Sequence, residues 1–208
     1  MCGVAAKRTR KVRNMVESIK INNFKSLADT ELTDCRRYNL LLGRPNVGKS
    51  NILEALSLFS VPYLIYSKRE VRDLVRYSSS MNELFFNGNT SEPVSITAGE
   101  HTIRISNTDG VKYTWDYANG DKKENLVINS GKVASKRNNS VLMPEFKKYD
   151  FKKLDKFSVS DIPFLLPAGG ENIMQIIQND ASLTDEIREI VAEYDLQFLF
   201  DPATREIK

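Results

Sequence analysis

Apolar and polar positions change period repeatedly along this chain, and each change predicts an element. In residues 16–22, Ile19 and Ile21 alternate with Ser18, Lys20 and Asn22, the pattern of a half-exposed strand. Residues 27–32 return as a second strand. Residues 38–42, Tyr-Asn-Leu-Leu-Leu, end in an unbroken apolar run, which reads as a buried parallel strand. Ile52, Leu53, Ala55, Leu56 and Leu58 then recur at helical spacing. Residues 67–77 read as a charged helix, with Val71, Leu74 and Val75 as its apolar stripe and Arg69, Arg72 and Arg76 as a solvated basic face. Between residues 83 and 129 the period falls back to two. Strands are predicted at 93–97, 101–106, 111–117 and 125–129, with Asp109-Gly110 and Asn119-Gly120 as hairpin signals. Tyr113, Trp115 and Tyr117 fall on one face of that antiparallel meander and read as core packing. Residues 130–140 are small, polar and basic, an exposed loop, and 141–146 read as one more strand. Helices follow at 172–178 and 183–194. The second is capped near Thr184 and Asp185, and Asp185 and Glu186 suit its N-terminal dipole.

Composition narrows the class. The chain has 208 residues, enough for one domain with a core, and its 41% hydrophobic and 27% charged content is that of a soluble globular protein. No apolar run is long enough to span a membrane, and the basic start lacks a secretory h-region, so a cytoplasmic location is expected. Cys2 and Cys35 are the only cysteines, which gives no disulfide framework. The net charge of +3 is misleading, because Lys7, Arg8, Arg10, Lys11 and Arg13 carry more than that by themselves. Residues 1–14 therefore read as a separate basic tail, disordered, ahead of a domain at 15–208, and net charge gives no argument for nucleic-acid binding by that domain. His101 is the only histidine and has no cysteine partners at metal-ligand spacing.

Candidate chemistry concentrates at Gly43, Arg44, Pro45, Asn46, Val47, Gly48, Lys49, Ser50 and Asn51. The stretch fits G-x-x-x-x-G-K-S, the phosphate-binding P-loop, and it lies between a predicted strand and a predicted helix as that motif requires. The glycines let backbone N–H groups approach phosphate. Lys49 reaches the β- and γ-phosphates, the Ser50 hydroxyl is placed for Mg²⁺, and the helix dipole faces the anion.

The loop letters alone resemble the first motif of Der/Era-type GTPases. The other motifs of that family, D-x-x-G and N-K-x-D, are not found here. Residues 15–60 resemble the amino terminus of the SMC/RecF/OLD-like ATPases, the ABC-type heads grouped with the AAA family ATPases. The fit rests on Ile19, Asn23, Phe24, Lys25, Ser26, Asn46, Lys49, Ser50, Asn51, Leu53, Glu54 and Ala55; Pro45 stands where that family usually has asparagine. The resemblance implies an α/β P-loop NTPase fold, an ABC-head-like mixed sheet with flanking helices and an antiparallel β-subdomain at 83–129. It implies ATP and Mg²⁺ as ligands, with Lys25 and Ser26 as further contacts to the nucleotide. A homodimer, or a partner that supplies the rest of the ATPase, is implied as well, as is DNA as a partner, in repair or phage defence.

The later motifs of such heads are not recognisable. Residues 166–171, Leu-Pro-Ala-Gly-Gly-Glu, faintly resemble the signature motif but lack its serine; with Asn172 they fit a loop before a helix. Residues 196–201 resemble a Walker B strand, yet Pro202 stands where the catalytic glutamate belongs, and 204–208 read as the return arm of a turn. The chain therefore reads as the amino-terminal, nucleotide-binding part of an ATPase with weak or no hydrolysis by itself. A GTPase switch, or a regulatory module with a vestigial P-loop, are the alternatives.

Overall fold

The structure, a computed structural model, describes residues 15–45, 47–67, 69–134, 141–150, 157, 162–201 and 206–207. The basic tail at 1–14, Asn46, Pro202 and much of the 130–140 loop lie outside the described residues. Strands β1 (Ile19–Phe24), β2 (Leu27–Leu32), β3 (Val94–Ala98), β4 (His101–Asn107), β5 (Lys112–Asn119), β6 (Lys122–Asn129) and the short β7 (Lys132–Val133) form one sheet in the order β2-β1-β3-β4-β5-β6-β7. Every pairing in it is antiparallel. The strands of 83–129 are thus continuous with β1 and β2. Hairpin turns at Gly110 and Gly120 join β4 to β5 and β5 to β6, as their sequence signals predict.

Register explains the core. Val94, Ile105, Trp115 and Leu126 line up across four adjacent strands, and Ile21, Ile96, Ile103 and Tyr117 form a parallel row. Both rows are buried on one face of the sheet. Against that face pack helix α1 (Lys49–Ser57) and the 3₁₀ segment Leu58–Tyr66. Trp115 donates its indole N–H to the Leu58 carbonyl (3.0 Å), so the largest core side chain also fixes where α1 ends. Phe59 stacks on Phe146 and meets Tyr117 edge-on. Helices α2 (Ile173–Asn179) and α3 (Ala181–Ala192) follow, and β8 (Phe200–Asp201) pairs with β9 (Glu206–Ile207) as an antiparallel hairpin. The α/β class stands.

Several expectations need correction. Residues 38–42 form no strand: Tyr38, Leu40 and Leu42 are 82%, 81% and 81% exposed. A parallel strand needs a hydrogen-bonded neighbour brought to it by a crossover, and no described strand pairs with this one. Residues 67–77 are not a helix. They hold a 3₁₀ turn, Val71–Asp73, closed by a capping box between Glu70 and Asp73, although Val71, Leu74 and Val75 are buried as the stripe predicts. The three arginines go to separate partners, Arg69 to Glu171 and Asp73, Arg72 to Glu70, and Arg76 to Glu54, and do not form one solvated face. Residues 141–146 form no strand; the Leu142 N–H donates to the Glu124 carboxylate (3.0 Å). The cap of α3 is Asp180, whose carboxylate accepts from the Leu183 N–H (3.2 Å). Leu53 of α1 is exposed while Ile52, Ala55 and Leu58 are buried. Among the described residues, no helix is long and apolar enough to cross a membrane.

Candidate nucleotide-binding site

The P-loop leads directly into α1. Gly48 is the N-cap residue of that helix with φ +88°, and the Gly48 carbonyl accepts its first bond, from the Ile52 N–H (3.1 Å). A Cβ at Gly48 would lie 3.0 Å from both Leu27 Cδ2 and Ser26 Oγ. Conformation and space therefore both require glycine. Lys49 Nζ folds back across the loop and donates to the carbonyls of Gly43 (2.8 Å) and Arg44. Arg44, Pro45 and Val47 are exposed, and so is Ser50 in the first turn of α1. The mouth of the loop is thus open to solvent and flanked by the helix N-terminus and the Lys49 ammonium, an arrangement that attracts an anion. Among the described residues, no group of three or more His, Cys, Asp or Glu side chains could hold a metal by itself. One exposed hydroxyl, Ser50, suits Mg²⁺ that arrives on phosphate oxygens and keeps several waters.

The turn between β1 and β2 walls the loop. Asn23 and Lys25 both have positive φ, +55° and +51°. Asn23 is held through its side chain, which donates to the Glu92 carbonyl (2.6 Å) and accepts from the Phe86 N–H (3.2 Å). The Lys25 N–H donates to the Leu84 carbonyl (2.9 Å). Lys25 Nζ donates to the Glu54 carboxylate and to the Arg76 carbonyl (2.6 Å). Ser26 Oγ accepts from Asn51 Nδ2 (2.8 Å). The sequence-predicted residues Lys25, Ser26, Gly48 and Asn51 are therefore brought together, with Lys25 directed along α1 to Glu54.

Glu54 is the residue the sequence reading did not single out for the site. It is only 7% exposed on α1, beside Ala55 and Leu58, and its carboxylate accepts from both Lys25 and Arg76. Burial pushes its carboxyl upward, but the hydrogen bonds and charges of Lys25 and Arg76 outweigh this and hold it below the ordinary value. The available signal was a carboxylate at a buried helical position, which demands a cation.

The look-alike motifs resolve into structure. Asn172 is buried; its Oδ1 accepts from the Leu166 N–H (2.9 Å) and its Nδ2 donates to the Phe164 carbonyl (2.9 Å). It closes the loop before α2, in keeping with the helix-start reading of residues 166–172. Phe200–Asp201 pairs antiparallel with Glu206–Ile207, in keeping with the return-arm reading of 204–208, of which 204, 205 and 208 lie outside the described residues. Tyr113, Trp115 and Tyr117 are core residues, and the half-buried His101 meets Tyr117 OH at 2.8 Å.

A profile of the AAA ATPase domain matches residues 15–194, most of the chain. The chain belongs to the AAA ATPase domain family. That family assignment bears out the ATPase resemblance read from the opening residues. An "ATP/GTP phosphatase" of Helicobacter pylori is 30% identical over 88 residues, covering 39% of this chain and 24% of that protein. An uncharacterised protein of Methanocaldococcus jannaschii is 42% identical over 45 residues, 22% of this chain and 20% of that protein. The chain thus spans less than a quarter of the length of these relatives. A solved structure of the recombination mediator protein RecF with ATP, in the RecFOR pathway, aligns with a TM-score of 0.29 at 24% identity, over 57% of this chain and 28% of that one. An overlay that loose adds nothing to the assignment.

Proposed function

We propose that this AAA ATPase domain binds Mg-ATP through residues 43–51. Lys49 turns from the Gly43 and Arg44 carbonyls to the β- and γ-phosphates, Ser50 joins the Mg²⁺ shell, and the backbone N–H groups around Gly48 receive the phosphate oxygens. The observation that carries this reading is the left-handed Gly48 at the N-cap of α1, beside an exposed Ser50 and a lysine that spans the loop. Turnover then depends on groups beyond the P-loop, a metal-binding carboxylate and a general base. For the whole protein, the SMC/RecF-like resemblance supports a composite ATPase completed by a second copy or a partner, acting on DNA in repair or phage defence, in the cytoplasm.

The similarity to the Helicobacter pylori ATP/GTP phosphatase favours a second reading, in which GTP is accepted as well as ATP. Calorimetric titration of the chain with Mg-ATP and with Mg-GTP separates the two. The ATPase reading expects tighter binding of the adenine nucleotide, and equal affinities select the second reading. Binding of GTP alone would return the chain to the GTPase class.

A further inference from the structure

The P-loop is supported from behind by a carboxylate whose partners lie outside it, on Lys25 and Arg76. Glu54 lies five positions beyond Lys49 on the covered side of α1, and its carboxylate ties Lys25 and Arg76 to that helix. Lys25 sits at φ +51°, a conformation that a lysine adopts only when its surroundings hold it there. Its restraints are the Leu84 carbonyl on its N–H and, on its ammonium, the Arg76 carbonyl and Glu54. The next residue, Ser26, receives Asn51 Nδ2, and with Leu27 it lies against Gly48 at the 3.0 Å limit of what a glycine admits. A shift of this turn therefore reaches the glycine that starts α1.

We propose that Glu54 is a positioning residue of the nucleotide site: it holds Lys25 in the left-handed turn and so keeps Ser26 against Asn51 and Gly48. The inference rests on the Mg-ATP reading above. It assigns Lys25 to the support of the loop and away from the phosphates. Its neighbour Arg76, whose side chain is largely exposed, supplies the second cation that keeps Glu54 ionised where it is buried.

A double-mutant cycle on Mg-ATP affinity tests this, with folding of each variant checked by circular dichroism. Glu54→Gln and Lys25→Met each weaken binding about tenfold, the low end for losing an outer-shell partner of a site. The double variant weakens it about tenfold as well, not a hundredfold, because the two residues act through one link. Additive losses overturn the proposal. So does unchanged or tighter binding by Glu54→Gln, which is the result expected if Lys25 contacts phosphate and Glu54 competes for it. Should Glu54→Gln fail to fold, Glu54→Asp takes its place: the shorter carboxylate keeps the charge but loses reach, and wild-type affinity in that variant overturns the proposal. Lys49→Ala separates the two layers. If wild type binds, Lys49→Ala does not and Glu54→Gln matches wild type, only the role of Glu54 falls; if wild type does not bind Mg-ATP, the nucleotide reading falls with it.

Discussion

Two apolar stretches of this chain have opposite environments. Val94, Ile105, Trp115 and Leu126 form a row across β3 to β6 and are buried. Tyr38, Leu40 and Leu42, just ahead of the P-loop, are more than 80% exposed. Their hydrophobicity is comparable, and what differs is the supply of partners. The first row is assembled by hairpins whose strands follow each other closely, so each finds its neighbour locally. The second reads as a parallel strand, which needs neighbours delivered by long crossovers, and none of the described strands reaches it. The sheet is paired strand to strand, and the P-loop beside it lies on a segment that is only partly supported, through Gly48, Lys25 and Glu54.

Substitutions in the two regions should differ in cost. The largest effect is expected at Trp115→Ala, which opens the core row and strips the Leu58 carbonyl of its donor; a loss of about 3–5 kcal/mol is expected for a buried tryptophan, read as a lower denaturant midpoint. Gly48→Ala follows. A side chain at φ +88° costs about 1–3 kcal/mol, and because the new methyl meets Leu27 and Ser26, the variant also loses Mg-ATP binding in calorimetry. A smaller effect, dependent on pH, lies at Glu83. The N–H groups of Ser78, Ser79 and Ser80 pull its carboxyl from 4.5 down to about 2. The unfolded chain then binds the proton more readily, so the contribution is complete above pH 4.5 and is lost as pH falls toward 2. The stability gap between wild type and Glu83→Gln closes over that window, and parallel pH curves would contradict the assignment. The smallest effect is expected at Leu42→Ser, within about 0.5 kcal/mol of wild type as for other surface changes. A loss as large as that of a core substitution would mean that the segment is covered in solution.

The sequence made the sheet legible and left the support of the loop unread, for one physical reason. Alternation and the turn residues at 109–110 and 119–120 are local signals, so β3 to β6 appear within a residue or a few of their predicted places. The P-loop is legible in the same way, because its glycines, lysine and serine are contiguous. Lys25 and Glu54 are 29 positions apart, and their pairing depends on how α1 lies across the sheet. The arginines at 69, 72 and 76 misled for a related reason: their spacing fits a helix, but their partners Glu171, Glu70 and Glu54 lie on different elements or at non-helical spacing, which the local pattern does not show. The leucines at 40–42 carry the letters of a buried strand, and burial is a property of the partner as much as of the residue.

Nucleotide binding at the P-loop is read by calorimetric titration of the chain and of Lys49→Ala with Mg-ATP at equal protein concentration. Saturable binding at one site is expected in wild type, and none in a Lys49→Ala variant with an unchanged circular dichroism spectrum. Equal binding by both proteins, or none by either, would contradict it.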